Sequence, residues 1–175
     1  MIILLILIVF LIQCESFSYT PREINNELYS RTEREAELKK ELSFYLNKYH
    51  ADRVFVIQYH NGTKDRQHGT MRFEICKENV VSIKCNFVNV NLTWLDMPFY
   101  LKKHDYFIGN ICELKNIDPV LHYQFIFYNV QNVAFVIITD DNTDPIGILG
   151  FTGTNLSINE NLLLKESKMI YEYIK

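Results

Sequence analysis

One stretch of the chain, Arg53–Gly62, constrains the fold more than any other. Its segment Val54–Ile57 is wholly β-branched or aromatic, and the stretch closes with Asn61-Gly62, a strong turn signal. Gln58 is the one polar residue between Val54 and Tyr59. A run this apolar predicts a strand that is buried on both faces in the middle of a sheet. Neighbouring segments must then supply the rest of the sheet and the layers that cover it.

The first residues form an uninterrupted apolar run, Met1–Ile12, and Ser16-Phe17-Ser18 follows shortly after it. The run is shorter than the roughly 20 residues of a comfortable membrane span, but it matches the apolar region of a secretory signal. We therefore expect residues 1–18 to be a signal peptide or a membrane anchor, with residues 1–12 contacting the membrane. Lipidation at Cys14, or an apolar terminus packed inside the fold, is an alternative.

These features predict a membrane-anchored or exported protein, in the periplasm or another extracytoplasmic space, although a location on the cytoplasmic face stays open. The 18 basic and 21 acidic residues give a net charge of −3, and the basic residues form no cluster. Because phosphate binding needs clustered Lys and Arg, we expect no nucleic-acid partner.

Motifs that carry catalysis are missing from the sequence. It contains no Gly-rich phosphate loop, no G-x-S-x-G elbow, no CxxC and no Cys/His spacing suited to zinc. His60 and His68 share one region with Asp65, but each histidine is predicted to be a surface or hydrogen-bonded residue. The sequence thus predicts a protein that is not an enzyme and that has neither a metal site nor a cofactor.

A long helix is predicted between the apolar terminus and the central strand. Thr20-Pro21 is a good helix start, and no Gly or Pro occurs from Arg22 to Tyr49. Polar residues interrupt the apolar stripe of its first half, so residues 19–37 are predicted to be a solvated stalk. Leu38–Tyr49 has the pattern of an amphipathic helix on a sheet. A coiled-coil homodimer through this helix is an alternative.

After a polar loop at Thr63–Thr70, strands are predicted at Met71–Cys76 and Val80–Val90. In the second of these, alternation places Val81, Ile83, Cys85 and Phe87 on one inward face. The remaining elements are a short helix within Leu92–Lys103 capped by Asp96, a strand at Phe107–Ile111, a helix from Asp118-Pro119, strands at Val133–Thr139 and Ile146–Thr152, and a closing helix with Ser157–Glu160 as its capping box.

This order of elements predicts an α+β fold, an antiparallel sheet with helices on its faces. The segment "DPIGILGF" at 144–151 resembles the end of the last strand pair of a GAF domain, and "ADRVFVIQYHNG" at 51–62 is similar to its first strand. The resemblance covers Leu38–Ile174 and is nearest to small single-domain versions from phages and bacteria. It implies a GAF/PAS-like domain at 38–175. Its sheet would have about five or six strands, with the N- and C-terminal helices on one face and shorter helices and loops on the other.

GAF and PAS domains bind small ligands between the sheet and the segments that cover one face. Carried onto this chain, the cover would be residues 91–105 and 116–129, and six aromatic residues would line the ligand pocket unless they simply fill the interior: Trp94, Phe99, Tyr100, Tyr106, Tyr123 and Phe127. The chain departs from two subfamilies. It lacks the Asn-Lys…Phe…Asp-Glu set of cyclic-nucleotide binders and the Cys-His pair that attaches a bilin.

The resemblance implies a membrane-tethered or exported regulatory or sensory module that binds a small molecule or a partner protein. The alternative is an interaction protein without a ligand, which dimerises or docks through its long N-terminal helix.

Overall fold

A computed structural model describes residues 21–60 and 67–175, with side chains from Tyr29 onwards. The predicted signal peptide or anchor and the Asn61-Gly62 turn lie outside the described residues. One compact unit comprises Glu37–Lys175. The long helix begins before it, and in that earlier part Arg31 Nε lies 3.4 Å from Glu35 Oε1, one turn along an exposed face. No helix among the described residues has the length and apolarity needed to cross a bilayer.

The described residues form five α-helices and six strands. In chain order they are α1 Pro21–Lys48, β1 Arg53–His60, β2 His68–Cys76, β3 Val90–Asn91, α2 Met97–His104, β4 Tyr106–Asn110, α3 Ile111–Ile117, α4 Pro119–Phe127, β5 Asn132–Thr139, β6 Pro145–Gly153 and α5 Glu160–Ile174. Two short 3₁₀ turns, Lys84–Asn86 and Leu92–Trp94, stand on either side of β3.

The six strands form one sheet in the order β3-β2-β1-β6-β5-β4, and every neighbouring pair is antiparallel. The prediction for β1 is confirmed, since this strand lies between β2 and β6 and is buried from Arg53 to Ile57. Its central place follows from its composition, because a strand with apolar side chains on both faces is stable only when both faces are covered.

Alternation along the strands gives the sheet two apolar faces. One face, with Val54, Val56 and Phe151, packs against the end of α1 from Leu38 onwards, against Tyr49 and against α5. The other, with Phe55 and Phe135, packs against α2, α3 and α4. The predicted α+β architecture, with terminal helices on one face and shorter helices and loops on the other, is therefore confirmed.

The strand predicted at Val80–Val90 is wrong. Only Val90–Asn91 pairs with β2, and the preceding residues form a loop with one 3₁₀ turn. Ile83 and Phe87 do point into the core, but Val81 and Cys85 are exposed. Glu74 accepts hydrogen bonds from the backbone N–H groups of Ile83 and Lys84, which in a strand would pair with a neighbouring strand.

Two boundaries also differ from the prediction, and one helix was not predicted. The polar loop is shorter, because β2 begins at His68. The cap of α5 is Asn159, whose side chain accepts from Leu162 N, so Ser157 is not the capping residue. Helix α3 was not predicted, although Asn110 and Glu113 form the capping box that marks its start.

Candidate functional site

The interior between the sheet and α2–α4 is almost filled by side chains. Its one described cavity has a volume of about 20 Å³, room for a single water. The lining is wholly apolar and includes Phe55, Ile57, Phe125 and Phe135. The rings of Phe125 and Phe135 are stacked with centroids 5.9 Å apart, and Phe55 lies within 6.4 Å of both. In this conformation the space holds no organic ligand.

The six aromatic residues predicted to line a ligand pocket are not part of this cavity. Four of them extend into solvent: Trp94, Phe99, Tyr123 and Phe127. Helix α4 explains two of these positions. It carries apolar residues on both its buried and its exposed side, and Leu121 and Phe125 face the sheet while Tyr123 and Phe127 face outwards. Their assignment to a ligand site stays a prediction.

The other two aromatics, Tyr100 and Tyr106, lie together at the β4 edge of the sheet. With His104 and Glu113 they line an open depression of about 340 Å³. The Tyr106 hydroxyl donates to Glu160 Oε2 at 2.7 Å, and the Tyr100 ring stacks on His104 with centroids 4.4 Å apart. Two of the polar groups here already have partners outside the lining. Glu113, for example, accepts from Asn110 N in the α3 capping box.

A larger cleft, of about 410 Å³, lies at the end of the sheet where β1 begins. Three segments meet there: the loop after β2, the turn after α4, and the end of β6. The lining residues are Asp52, Arg53, Asn79, Val80, Val81, Phe127, Tyr128, Asn129, Val130 and Gly153. Among the predicted ligand residues, only Phe127 belongs to it.

Arg53 is the distinctive residue of this cleft. Its side chain is only 4 % exposed, yet among the described residues no carboxylate forms an ion pair with it. Nε donates to Val81 O at 2.9 Å, and Nη1 makes a long hydrogen bond of 3.4 Å to Thr152 Oγ1. Buried arginines are normally paired with a carboxylate, because removing a guanidinium from water is costly. Here only neutral oxygens compensate the charge.

Asp52, the other charged residue of the lining, has an ion-pair partner. The carboxylate of Asp52 lies 3.0 Å from Lys77 Nζ through Oδ1 and accepts from Thr154 N at 2.9 Å through Oδ2. Lys77 thus pairs with Asp52, whereas Arg53 has no ion-pair partner among the described residues. Its field reaches Cys76, which pairs with it across β1 and β2. Burial raises the pKa of the Cys76 thiol to about 11, Glu74 adds to the rise, and Arg53 opposes it.

Aromatic and backbone groups form the wall opposite Arg53. The guanidinium carbon lies 5.9 Å from the centroid of the Tyr128 ring, within the range of a cation–π contact. Asn86 Nδ2 donates to the Tyr128 hydroxyl at 2.6 Å and holds that ring in place. Asn79 and Asn129 have positive φ, of 66° and 55°, a backbone conformation that asparagine tolerates well.

Sequence reasoning did not find this site, although one signal was present. Arg53 is a charged residue at the start of a strand that is otherwise apolar up to Gln58. His60 and His68, which share one region of the sequence with Asp65, lie opposite each other in the β1–β2 register. However, the described residues contain no cluster of three ligating side chains that fits a metal ion. Asp65 lies outside the described residues.

Comparison with known proteins gives a match by structure alone. No protein-family model matches the sequence, and no curated protein matches it. The GAF domain region of a Geobacter sulfurreducens PCA protein superposes with a TM-score of 0.62 at 15% identity, over 85% of this chain and 97% of that chain. The chain has a GAF-like fold.

Two further structures extend this likeness. The blue-light-absorbing form of the PixJ GAF domain from Thermosynechococcus elongatus gives a TM-score of 0.60 at 12% identity, over 83% of each chain. The type II free methionine-R-sulfoxide reductase from Thermoplasma acidophilum gives 0.61 at 12% identity, over 83% of this chain and 94% of that chain. The GAF-like fold thus occurs in proteins of different function, and it selects none of them by itself.

Proposed function

We propose that the protein is a sensory or regulatory module that binds a small molecule in the cleft beside Arg53. The observation that carries this proposal is the buried guanidinium of Arg53, which has no carboxylate partner among the described residues and lines a cleft of about 410 Å³. Ligand sites are typically concave and mostly apolar, with a few polar groups that fix orientation. The valines, the aromatic residues and Arg53 of this cleft meet that description.

The test is to fill the cleft without disturbing the core. Val81 lines the cleft and is 65% exposed, whereas Val88 lies in the same loop, is 62% exposed and does not line it. Native mass spectrometry of the purified full-length chain should show a retained small molecule with the wild type and with Val88→Trp, but not with Val81→Trp. Equal retention by both variants would place the ligand elsewhere and contradict the proposal.

The exposed apolar side chains favour a second function, docking of a partner protein. Val120, Tyr123, Ile126 and Phe127 of α4 are exposed, and Trp94 and Phe99 are exposed on neighbouring segments of the chain. Large exposed apolar side chains that cluster typically mark interaction surfaces. Size-exclusion chromatography with light scattering distinguishes the simplest form, a homodimer. A dimer that Tyr123→Ser dissociates would use α4, and one that persists would use another surface, such as the predicted stalk.

We also propose that residues 1–18 direct the protein to a membrane or to export. Its support is the apolar run Met1–Ile12 followed by Ser16-Phe17-Ser18. Protein isolated from its cells should begin at Tyr19 if the segment is a cleaved signal. An intact Met1 together with recovery in the membrane fraction would indicate an anchor, and an intact Met1 in the soluble fraction would contradict both forms.

A further inference from the structure

We infer that the ligand of the Arg53 cleft is a small organic oxyanion, a carboxylate or phosphate attached to a flat apolar group. This inference rests on the proposed function, because it names the chemical class bound at the same site. It follows from three features of the cleft: a cation without an ion-pair partner among the described residues, a donor of that cation that makes no hydrogen bond to them, and an apolar wall beside it.

The first feature is the positive charge of the Arg53 guanidinium. Asp52 and Arg53 are the charged residues of the cleft lining, and Asp52 forms an ion pair of 3.0 Å with Lys77. The remaining lining residues are neutral. The Arg53 guanidinium belongs to a residue that is only 4 % exposed, and no carboxylate of the described residues forms an ion pair with it. Low exposure strengthens attraction to an anion, because water screens a buried charge less than a surface charge.

The arrangement of the N–H donors of Arg53 indicates which type of anion would bind. Nε of Arg53 is used by Val81 O and Nη1 by Thr152 Oγ1, while Nη2 donates to no atom of the described residues. Nη2 and the weakly held Nη1 form one edge of the planar guanidinium. Two parallel N–H groups on such an edge match two oxygens of a carboxylate or a phosphate.

The apolar wall of the cleft favours an anion that carries a flat apolar group. The Tyr128 ring faces the guanidinium at 5.9 Å, and Val80, Val81 and Phe127 complete the apolar lining. Phe127 is 80% exposed, so a flat ligand would remove apolar surface from water on binding. A bare inorganic ion leaves this surface uncovered. An aryl or similarly flat apolar anion uses both parts of the cleft.

Four probes separate the contributions: phenyl phosphate and benzoate as organic oxyanions, inorganic phosphate as the bare ion, and benzyl alcohol as the neutral aromatic. Binding is measured by NMR titration of the full-length chain. We expect the two organic anions to bind at least about tenfold more tightly than either benzyl alcohol or inorganic phosphate, and to weaken as salt is raised. Val81→Trp should abolish their binding.

Two variants that each add one negative charge test the role of Arg53 without removing a buried side chain. Asn129→Asp adds a negative charge to the cleft at a position of positive φ that Asp also tolerates. Asn89→Asp makes the same change at φ 54°, outside the cleft lining. Phenyl phosphate binding should weaken about tenfold or more in Asn129→Asp and remain unchanged in Asn89→Asp.

The outcomes distinguish the two proposals. If benzyl alcohol binds as tightly as the anions, and Val81→Trp blocks both, the cleft is a ligand site but the oxyanion class is wrong. Equal binding of inorganic phosphate and phenyl phosphate would overturn the organic part of the inference, and equal effects of the two Asp variants would overturn the role of Arg53. If none of the four probes binds, the oxyanion inference is overturned. Retention of a cell-derived molecule that Val81→Trp abolishes would still support the proposed function in that case.

Discussion

Asp118 and Met97 are joined by a hydrogen bond in the interior of the protein, where the backbone N–H of Met97 donates to Asp118 Oδ2 at 2.9 Å. The other carboxylate oxygen, Oδ1, accepts from Leu121 N at 2.8 Å. One fully buried carboxylate therefore caps both α2 and α4. Both helices cover the same face of the sheet, so this single side chain fixes how the cover is arranged.

The double cap predicts a large loss of stability in Asp118→Ala. The substitution removes the cap of α4 and leaves the buried N–H of Met97 without a partner, at a combined cost of about 2–4 kcal/mol. Urea denaturation followed by circular dichroism measures the change. Asp96 supplies the control, because it precedes α2 but makes no side-chain cap hydrogen bond. Asp96→Ala should change the free energy of unfolding by less than about 0.5 kcal/mol. Similar losses in the two variants would contradict the double cap.

Glu166 connects α5 to the end of α1, and this link predicts a pH dependence of stability. Its carboxylate accepts from Lys48 Nζ at 2.9 Å and from the Tyr49 hydroxyl at 2.5 Å. Burial acts to raise the pKa of Glu166, but the hydroxyls of Tyr45 and Tyr49 and the Lys48 ammonium outweigh it, so the pKa lies below its ordinary value. A carboxyl whose folded pKa is lowered stabilises the fold above its unfolded pKa, about 4.3 for Glu. That stabilisation is lost as the pH falls through the folded pKa.

Glu166→Gln should therefore lower the free energy of unfolding by about 2 kcal/mol at pH 7. The difference from the wild type should shrink as the pH falls below about 4.3, which urea denaturation at several pH values measures. Glu172→Gln is the control, because Glu172 lies in the same helix with its side chain largely exposed beside Lys175. An effect of Glu166→Gln that is the same at pH 3 and pH 7 would exclude a charged role for this side chain.

Gly150 lies opposite Phe55 in the β1–β6 register, and the absence of its side chain makes room for that ring. A Cβ at position 150 would lie 2.3 Å from two ring carbons of Phe55. Phe55 cannot easily yield, because it packs against Phe125 and Phe135. Gly150→Ala should destabilise the fold by about 1–3 kcal/mol.

A double-mutant cycle with Phe55→Leu tests this explanation. If the clash with the ring is the cause, the double variant should lose less stability than the sum of the two single variants. Additive losses would indicate that the backbone conformation of Gly150, and not the Phe55 ring, is responsible.

The three described cysteines should react at different rates. Cys85 and Cys112 are exposed, whereas Cys76 is partly buried and the pKa of its thiol is raised to about 11 by burial and by Glu74. Since the thiolate is the reacting form, iodoacetamide at pH 8 should modify Cys76 at least about tenfold more slowly than the other two. Peptide mass spectrometry over time measures the three rates. Equal rates at Cys76 and Cys85 would contradict the described burial of Cys76.

Much of the fold could be predicted from local sequence patterns. The buried strand β1, the hairpin of β5 and β6, the helix after Asp118-Pro119 and the amphipathic half of α1 each have a periodicity or cap that depends on near neighbours alone. The 80–90 segment shows where this reasoning fails. Apolar and polar residues do alternate in it, but Glu74 of β2 accepts hydrogen bonds from the backbone N–H groups of Ile83 and Lys84. These two groups therefore do not pair with a neighbouring strand.

The candidate site could not be predicted in the same way. Six aromatic residues were assigned to a ligand pocket, yet α4 carries apolar residues on both its buried and its exposed side, so its sequence does not tell which residues face the sheet. The rings that fill the interior are instead Phe55, Phe107, Phe125 and Phe135, three of which come from strands. Arg53 was visible as a charge at a strand start, but nothing local showed that it would be buried without a carboxylate.

The sequence alone determined most of the strands and helices and which strand is central, because burial on two faces requires apolar residues at consecutive positions. Tertiary structure decided which groups meet. The Arg53 cleft joins the start of β1, a loop that follows β2, the turn after α4 and the end of β6. The partners of a buried charge lie far apart in the chain, and no periodicity encodes their distance.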